Sequence, residues 1–286
     1  MRTLGTLAEA AAFRSAAPSP VVLVPTMGAL HDGHAALIEA ARTRAGRSGT
    51  VIVSIFVNPT QFGPNEDLSK YPRPFEADLA LCEAHGADAV FAPTADEMYP
   101  TGDSTFVDET ELSRGLCGAQ RPGHFRGVCT VVAKLFNIIR PAAAIFGEKD
   151  YQQLATIRRM ARDLALPIEI VGGPLVRDSD GLALSSRNVY LSPEDRRRAL
   201  SLSRALRHLG ERIGEGERDA SALLAAGRAQ LEVDRLDYLE LRDPLSLRPL
   251  ARIDGPARAF VAAVVGRTRL IDNLAVGPTR PEEPRG

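Results

Sequence analysis

The feature that most constrains this chain is a recurrence. Short β-branched apolar runs are each closed by a turn and followed by a helical pattern. Val21-Val22-Leu23-Val24 ends at Pro25, and Ala35 to Arg44 then carries Leu37, Ile38 and Ala41 at helical spacing, with basic residues near its end. Val51-Ile52-Val53-Ser54-Ile55-Phe56-Val57 is stopped by Asn58-Pro59; a helix from about Phe75 to Ala84 and a strand at Ala89-Val90-Phe91 follow. Thr130 to Ile139 reads as a helix with Val131, Leu135 and Ile138 on one face, ended by Pro141. Ala142 to Phe146, Tyr151 to Asp163 and Ile168 to Val171 repeat the strand–helix–strand order. Runs this apolar are strands buried on both sides, so the expectation is an α/β fold with a parallel sheet covered on both faces.

Near residue 180 the pattern changes. Ser192-Pro193-Glu194-Asp195 is a strong helix start: a capping Ser, Pro in the first turn, and acids at the positive end of the dipole. That helix runs to about Gly210, and Ala220 to Leu231 forms another. Leu236 to Leu241, Ala259 to Val265 and Leu270 to Ala275 then read as strands, the last two joined by a hairpin at Gly266-Arg267-Thr268. The expected division is therefore 1–177 as the parallel-sheet domain and 178–286 as a smaller α+β domain. A Pro-rich, charged tail is expected to fray from Gly277.

Composition narrows the partners. Of the 286 residues, 35 are Lys or Arg and 36 Asp or Glu, a net charge of -1, so there is no bulk attraction to nucleic acid or acidic membrane. Trp is absent and aromatics are 5%, which disfavours base-stacking platforms. Cys82, Cys117 and Cys129 show no C-x-x-C spacing, which argues against a disulfide framework or a zinc site; they read as buried small hydrophobes. No secretory signal and no apolar run near 18 residues is visible, so a soluble protein of the reducing cytoplasm is expected, acting on small molecules.

Common phosphate and hydrolase signatures are missing: no G-x-x-x-x-G-K-[ST], no strand-following G-x-G-x-x-G, no H-E-x-x-H and no G-x-S-x-G. The strongest candidate is Pro25-Thr26-Met27-Gly28-Ala29-Leu30-His31-Asp32-Gly33-His34, between the first strand and the first helix, where parallel sheets place ligands. Gly28 permits close backbone approach and Gly33 a tight helix entry. His31 and His34 can meet an anion held by the helix dipole and free N–H groups and, when protonated, offset charge developing in phosphoryl chemistry. The spacing alone also suits two exposed loop histidines or a metal; the strand–Gly–His–helix context favours phosphate.

Three further clusters carry polar groups. In Phe146-Gly147-Glu148-Lys149-Asp150-Tyr151-Gln152-Gln153, Lys149 can supply a point charge to phosphate and Asp150 an acceptor for a ribose hydroxyl, although Glu-Lys-Asp alone is usually a solvated loop. In Val176 to Asn188, the adjacent hydroxyls Ser185 and Ser186 with Arg187 make a movable phosphate clamp, or else part of a polar interdomain linker. Gln61, at the end of the second strand, suits a neutral hydroxyl or a carboxylate, or is a surface turn amide. Gly123-His124-Phe125-Arg126-Gly127, which precedes a helix, is similarly ambiguous.

Together these segments resemble the pantoate–β-alanine ligase family, within the H-x-G-H nucleotidyltransferase superfamily. The resemblance runs from Val21 to about Arg197, and extends to Asp237-Tyr238-Leu239-Glu240-Leu241-Arg242 and Thr268-Arg269-Leu270-Ile271-Asp272-Asn273. It implies a Rossmann-like, doubly wound parallel sheet, a small C-terminal lid domain and a homodimer. It also implies a reaction in which (R)-pantoate attacks ATP to give pantoyl adenylate and pyrophosphate, and β-alanine then displaces AMP to give pantothenate. Carried over by motif, Met27, Gly28, Ala29, Leu30, His31, Asp32, Gly33 and His34 bind ATP, His34 being the usual proton donor. Gly147, Glu148, Lys149 and Asp150 hold ribose and phosphate, and His31 and Lys149 join His34 as catalytic groups. Val176 meets adenine through its backbone, and Leu184, Ser185, Ser186 and Arg187 hold the departing phosphates. Gln61 and Gln153 grip pantoate, with Gln61 also near β-alanine. Mg2+ accompanies ATP, held by phosphate oxygens and water.

Two departures are conservative: Leu184 replaces a frequent Met, and Asp32 a frequent Glu, with its side chain expected to face solvent. A whole-nucleotide transferase would share the two-His loop but have no reason to carry Gln61 with Gln153. A non-catalytic nucleotide binder would be expected to lose His31, His34 or Lys149. All are present.

Overall fold

The structure, a computed structural model, describes residues 1–64, 66 and 68–278; most of the tail expected to fray lies outside the described residues. The chain divides into two compact units, Met1–Val176 and Arg177–Gly286.

The first unit contains β1 (Arg2–Leu4), α1 (Leu7–Ala16), β2 (Val21–Thr26), α2 (Asp32–Ala45), β3 (Thr50–Ile55), α3 (Phe75–Ala84), β4 (Ala89–Phe91), α4 (Ala95–Met98), α5 (Cys117–Gln120), α6 (His124–Ile139), β5 (Ala143–Gly147), α7 (Tyr151–Asp163) and β6 (Glu169–Gly173). Its six strands are all parallel, in the order β1-β4-β3-β2-β5-β6. Val22, Val24, Val51, Val53, Val90 and Ile145 pack against Leu37, Ile38 and Ala41 of α2 and Cys82 of α3. Phe146 points the opposite way and meets Phe136 of α6, ring centroids 6.4 Å apart. Both faces of the sheet are therefore covered, as the continuous apolar runs require. From β2 the chain winds outward through β3 to β4, then returns to place β5 on the other side of β2. That reversal opens a crevice at the C-terminal ends of β2 and β5.

Several features depart from the expectation, the short α4 and α5 among them. β1 and α1 were not anticipated: three residues show no periodicity, and β1 exists because it pairs with β4 at the sheet edge. The start of α1 was nonetheless written in Thr6-Leu7-Ala8-Glu9, a capping box in which Thr6 Oγ1 accepts from the Glu9 amide and Glu9 accepts from the Thr6 amide. Residues 123–127, expected to precede a helix, instead form its beginning. Gly123 is a left-handed cap and α6 starts at His124, six residues before the expected Thr130.

The second unit contains α8 (Pro193–Gly214), α9 (Ala220–Arg228), β7 (Arg235–Arg242), β8 (Ala257–Val265) and β9 (Thr268–Val276). The strands form an antiparallel sheet, β7-β8-β9, with Val265 opposite Thr268 across the hairpin. Leu202, Leu206 and Leu209 of α8 and Leu223 of α9 bury their side chains against Leu239, Val261 and Ile253. Ser192 caps α8, its Oγ accepting from the Asp195 amide at 3.1 Å.

Candidate functional site

The loop leaving β2 turns through two consecutive left-handed residues, Gly28 (φ 81°) and Ala29 (φ 50°), before α2 begins. His31 is the N-cap of α2. Its Nδ1 accepts from the Gly33 amide at 3.1 Å, and His34 Nδ1 accepts from the His31 amide at 3.3 Å. The two imidazoles thus take the places of the Ser and Glu of an ordinary capping box. Their rings lie 4.2 Å apart, tilted by 47°. Because each Nδ1 is an acceptor, each neutral ring carries its proton on Nε2. Leu30 packs on the core beneath, and Asp32 is exposed in the first turn, as expected.

Charge follows from this placement. Burial, then the Lys149 ammonium, pulls His31 down to about 4. Burial, then His31 and Lys149, pulls His34 down to about 3, with Asp150 opposing. Near neutral pH both rings are uncharged donors, which leaves them hydrogen bonding and not charge as their means of meeting an anion. The amides of the loop before the helix are engaged. Ala29 N–H donates to Asp78 Oδ2 at 2.9 Å and Leu30 N–H to Asp78 Oδ1 at 2.7 Å, while Gly28 N–H reaches Thr26 Oγ1 at 3.3 Å.

At the end of the adjacent β5, Gly147 leads into a turn, Glu148–Asp150, and then into α7. Lys149 Nζ stands 3.6 Å from Asp150 Oδ2, and both groups bear on the two imidazoles. The structure therefore brings His31, His34, Lys149 and Asp150 together at the crevice between β2 and β5.

Gln61 lies beyond β3 in the turn Pro59–Gln61 and is buried, not a surface amide. Asn58 Nδ2 donates to Gln61 Oε1 at 3.0 Å, which turns the Gln61 amide nitrogen toward Met27 Sδ, also at 3.0 Å. Asn58 is itself held: its Oδ1 accepts from Tyr99 Oη and Thr60 Oγ1, both at 2.9 Å. The Gln61 carbonyl accepts from His124 Nδ1 at 2.9 Å and from Arg121 at 3.3 Å. Arg121 also approaches His124 Nε2 at 3.0 Å, so His124 is the Nδ1–H tautomer, and burial followed by Arg121 lowers it to about 4. His124 thus supports Gln61.

The remaining candidates are placed as follows. Gln153 is half-buried on α7, one turn past Asp150. Its neighbour Gln152 is structural, accepting from the Cys117 amide and donating to the carbonyls of Leu112 and Gly115. Val176 is the last residue of the first unit, half-buried. Leu184, Ser185, Ser186 and Arg187 belong to the second unit, where Ser185 Oγ caps the turn Ser186–Tyr190 by accepting from the Arg187 amide at 3.3 Å. That segment is tethered at its start: Arg177 pairs with Asp272 through two bonds of 2.7 and 2.9 Å, and Arg196 reaches Asp178 at 2.5 Å and Asp180 at 2.8 Å. All three cysteines are buried. Among the described residues no three His, Cys, Asp or Glu side chains cluster to hold a metal, and no helix is long and apolar enough to cross a membrane. Sequence reasoning missed Asp78 altogether and left Asn58 and His124 without roles. An acid in the first turn of α3 reads as a dipole complement, and nothing local reveals a partner 48 residues away.

Comparison with known proteins places this geometry. The family model described as pantoate-beta-alanine ligase matches residues 1–275. A pantothenate synthetase of Myxococcus xanthus is 57% identical over 262 residues, covering 90% of this chain and 89% of that one. A pantothenate synthetase of Pseudomonas putida is 54% identical over 278 residues, 96% of each chain. Among solved structures, pantothenate synthetase of Thermus thermophilus superposes with a TM-score of 0.91 at 51% identity, covering 97% of this chain and all of that one. The Francisella tularensis pantoate-beta-alanine ligase complexed with beta-gamma ATP and beta-alanine superposes at 0.78 with 32% identity, covering 96% of this chain and 97% of that one.

Proposed function

This chain belongs to the pantoate–β-alanine ligase family, and from that membership we propose the course of its reaction and the residues that carry it. The pantoate carboxylate attacks the α-phosphorus of ATP; a P–O bond forms, the α–β anhydride bond breaks, and pyrophosphate leaves. The neutral amine of β-alanine then attacks the acyl carbon, expelling AMP and losing a proton to give pantothenate. A carboxylate is already ionised near neutral pH, so the first step needs no general base. It needs alignment and stabilisation of charge on the phosphates.

The observation that carries this reading is the pair of imidazoles with both Nδ1 atoms tied to backbone, beside Lys149 at the crevice between β2 and β5. Nε2–H of His31 and His34 donates to phosphate oxygens, and Lys149 adds the cation. Met27, Gly28, Ala29, Leu30, Asp32 and Gly33 shape the nucleotide-binding loop, with Gly147, Glu148 and Asp150 at the ribose and Val176 at the adenine. Gln61 and Gln153 hold pantoate, the Gln61 amide nitrogen being aimed by Asn58. Leu184, Ser185, Ser186 and Arg187 hold the expelled phosphates. Mg2+ bound with ATP would supply neutralisation of phosphate charge, and phosphate oxygens and water would suffice to hold it without a cluster of protein ligands. We place the enzyme in the cytoplasm as a homodimer.

The test is exchange of labelled pyrophosphate into ATP with Mg2+ and without β-alanine. Exchange that requires pantoate is the expected result. Exchange that is indifferent to pantoate, or none together with no pantoate-dependent AMP once β-alanine is added, would overturn the assignment.

A further inference from the structure

We propose that Asp78 is the positioning residue of the His31–His34 loop: its carboxylate holds the left-handed backbone at Gly28 and Ala29 so that both imidazoles present Nε2–H to the nucleotide. The inference rests on the reading that this loop binds ATP. Asp78 sits in the first turn of α3, 2% exposed, and spends both oxygens on a different element, the amides of Ala29 and Leu30. It makes no ion pair among the described residues. A buried carboxylate without a counter-ion is costly, and burial pushes its pKa up against the pull of the two amides. Such a cost persists when the group fixes something packing alone would not.

The loop needs fixing. Ala29 has φ 50°, where an L-residue with a Cβ is strained by roughly 1–2 kcal/mol. On the side of Met27 and Gly28 the loop borders a cavity of about 390 Å3, whose walls also include Phe56, Arg73, Phe75 and Asp78. On that side the backbone is held by hydrogen bonds to Asp78. The fit is close: a Cβ on Gly28 would stand 2.9 Å from Asp78 Oδ2 and 3.1 Å from Ile55 Cγ2. One carboxylate thus sets Ala29 and Leu30, and the next residue is the cap whose own amide is bonded to His34.

The test is Asp78→Asn, which keeps the size but turns an NH2 toward one of the two amides. We expect kcat/KM for ATP in adenylate formation to fall about 10- to 100-fold, with the pantoate KM within about twofold of wild type. Adding Ala29→Gly should recover part of that loss, because glycine takes the left-handed conformation without strain. A merely structural Asp78 would lower thermal stability and leave the ATP and pantoate constants unaltered. A direct reading comes from the wild-type amide protons of Ala29 and Leu30, which should move together as Asp78 is protonated on acidification. Arg73 on the cavity wall and Cys82 one turn along α3 are ionisable groups near it, and His31 and His34, lowered to about 4 and 3, follow the two bonded amides in the chain. If the Asp78→Asn protein does not fold, that titration decides alone, and amides that stay in place while Asp78 titrates overturn the proposal. Wild-type kcat/KM for ATP in a folded Asp78→Asn protein overturns it equally. If ATP leaves the imidazole resonances of wild-type His31 and His34 unmoved, the nucleotide-site reading itself falls, and this proposal with it.

Discussion

At the residue scale, the site depends on histidines that are kept neutral. An imidazolium would add a full charge but could not accept an amide proton at Nδ1, and the loop uses Nδ1 of both rings as its cap. The sequence showed the two histidines and their place before a helix; it could not show the protonation state, which depends on burial and on Lys149 arriving from β5. His34→Ala should slow adenylate formation about 10²- to 10³-fold, the usual cost of one phosphate- or oxyanion-directed donor. The same change removes one half of the cap and should cost about 1 kcal/mol of stability, so circular dichroism should show an intact fold. Wild-type pyrophosphate exchange in that variant would remove His34 from the chemistry.

At the element scale, the Gln61 pocket is made by a helix pressed against a turn. Gly127 in the first turn of α6 lets the helix touch the Pro59–Gln61 backbone: a Cβ there would lie 2.4 Å from the Thr60 carbonyl oxygen and 2.7 Å from the Gln61 nitrogen. Asn58 Nδ2 bonds the Gly127 carbonyl at 3.1 Å across the same contact. Gly127→Ala should therefore destabilise the protein by about 1–3 kcal/mol through overpacking. If Gln61 holds pantoate, the same change should raise the pantoate KM while the ATP KM stays put; a thermal melt and steady-state kinetics read the two effects. The helix start at His124 escaped sequence reasoning because Gly127 dilutes the apolar pattern just where the helix packs most tightly. Its reason for being glycine is tertiary.

At the scale of the whole molecule, three imidazoles tie stability to pH. In the unfolded chain they take protons near pH 6.5, whereas in the folded first unit His31 and His124 stay neutral down to about 4 and His34 to about 3. Between those limits the unfolded chain binds more protons. Stability is therefore full above about pH 6.5 and is lost as the pH falls toward 4, by about 1.4 kcal/mol per pH unit for each ring. Urea unfolding at pH 5 should give a stability lower than at pH 7 by on the order of 3–4 kcal/mol from His34 and His124 alone. Equal midpoints would mean the rings are charged in the fold. What the sequence determined by itself is what periodicity and local chemistry encode. The apolar runs required strands covered on both sides, Ser192-Pro193 started α8, Gly266-Arg267 turned the hairpin, and the segments around His31, Lys149 and Gln61 marked the candidate site. What only the tertiary structure decided are the pairings that have no local signature. They include the three-residue β1 held by β4, the strand order that sets β2 beside β5, Asp78 beneath Ala29 and Leu30, and Asn58 tied to the Gly127 carbonyl. The physical reason is common to all of them: each is a hydrogen bond or a contact between segments far apart in the chain, and its energy exists only after the sheet has brought them within reach.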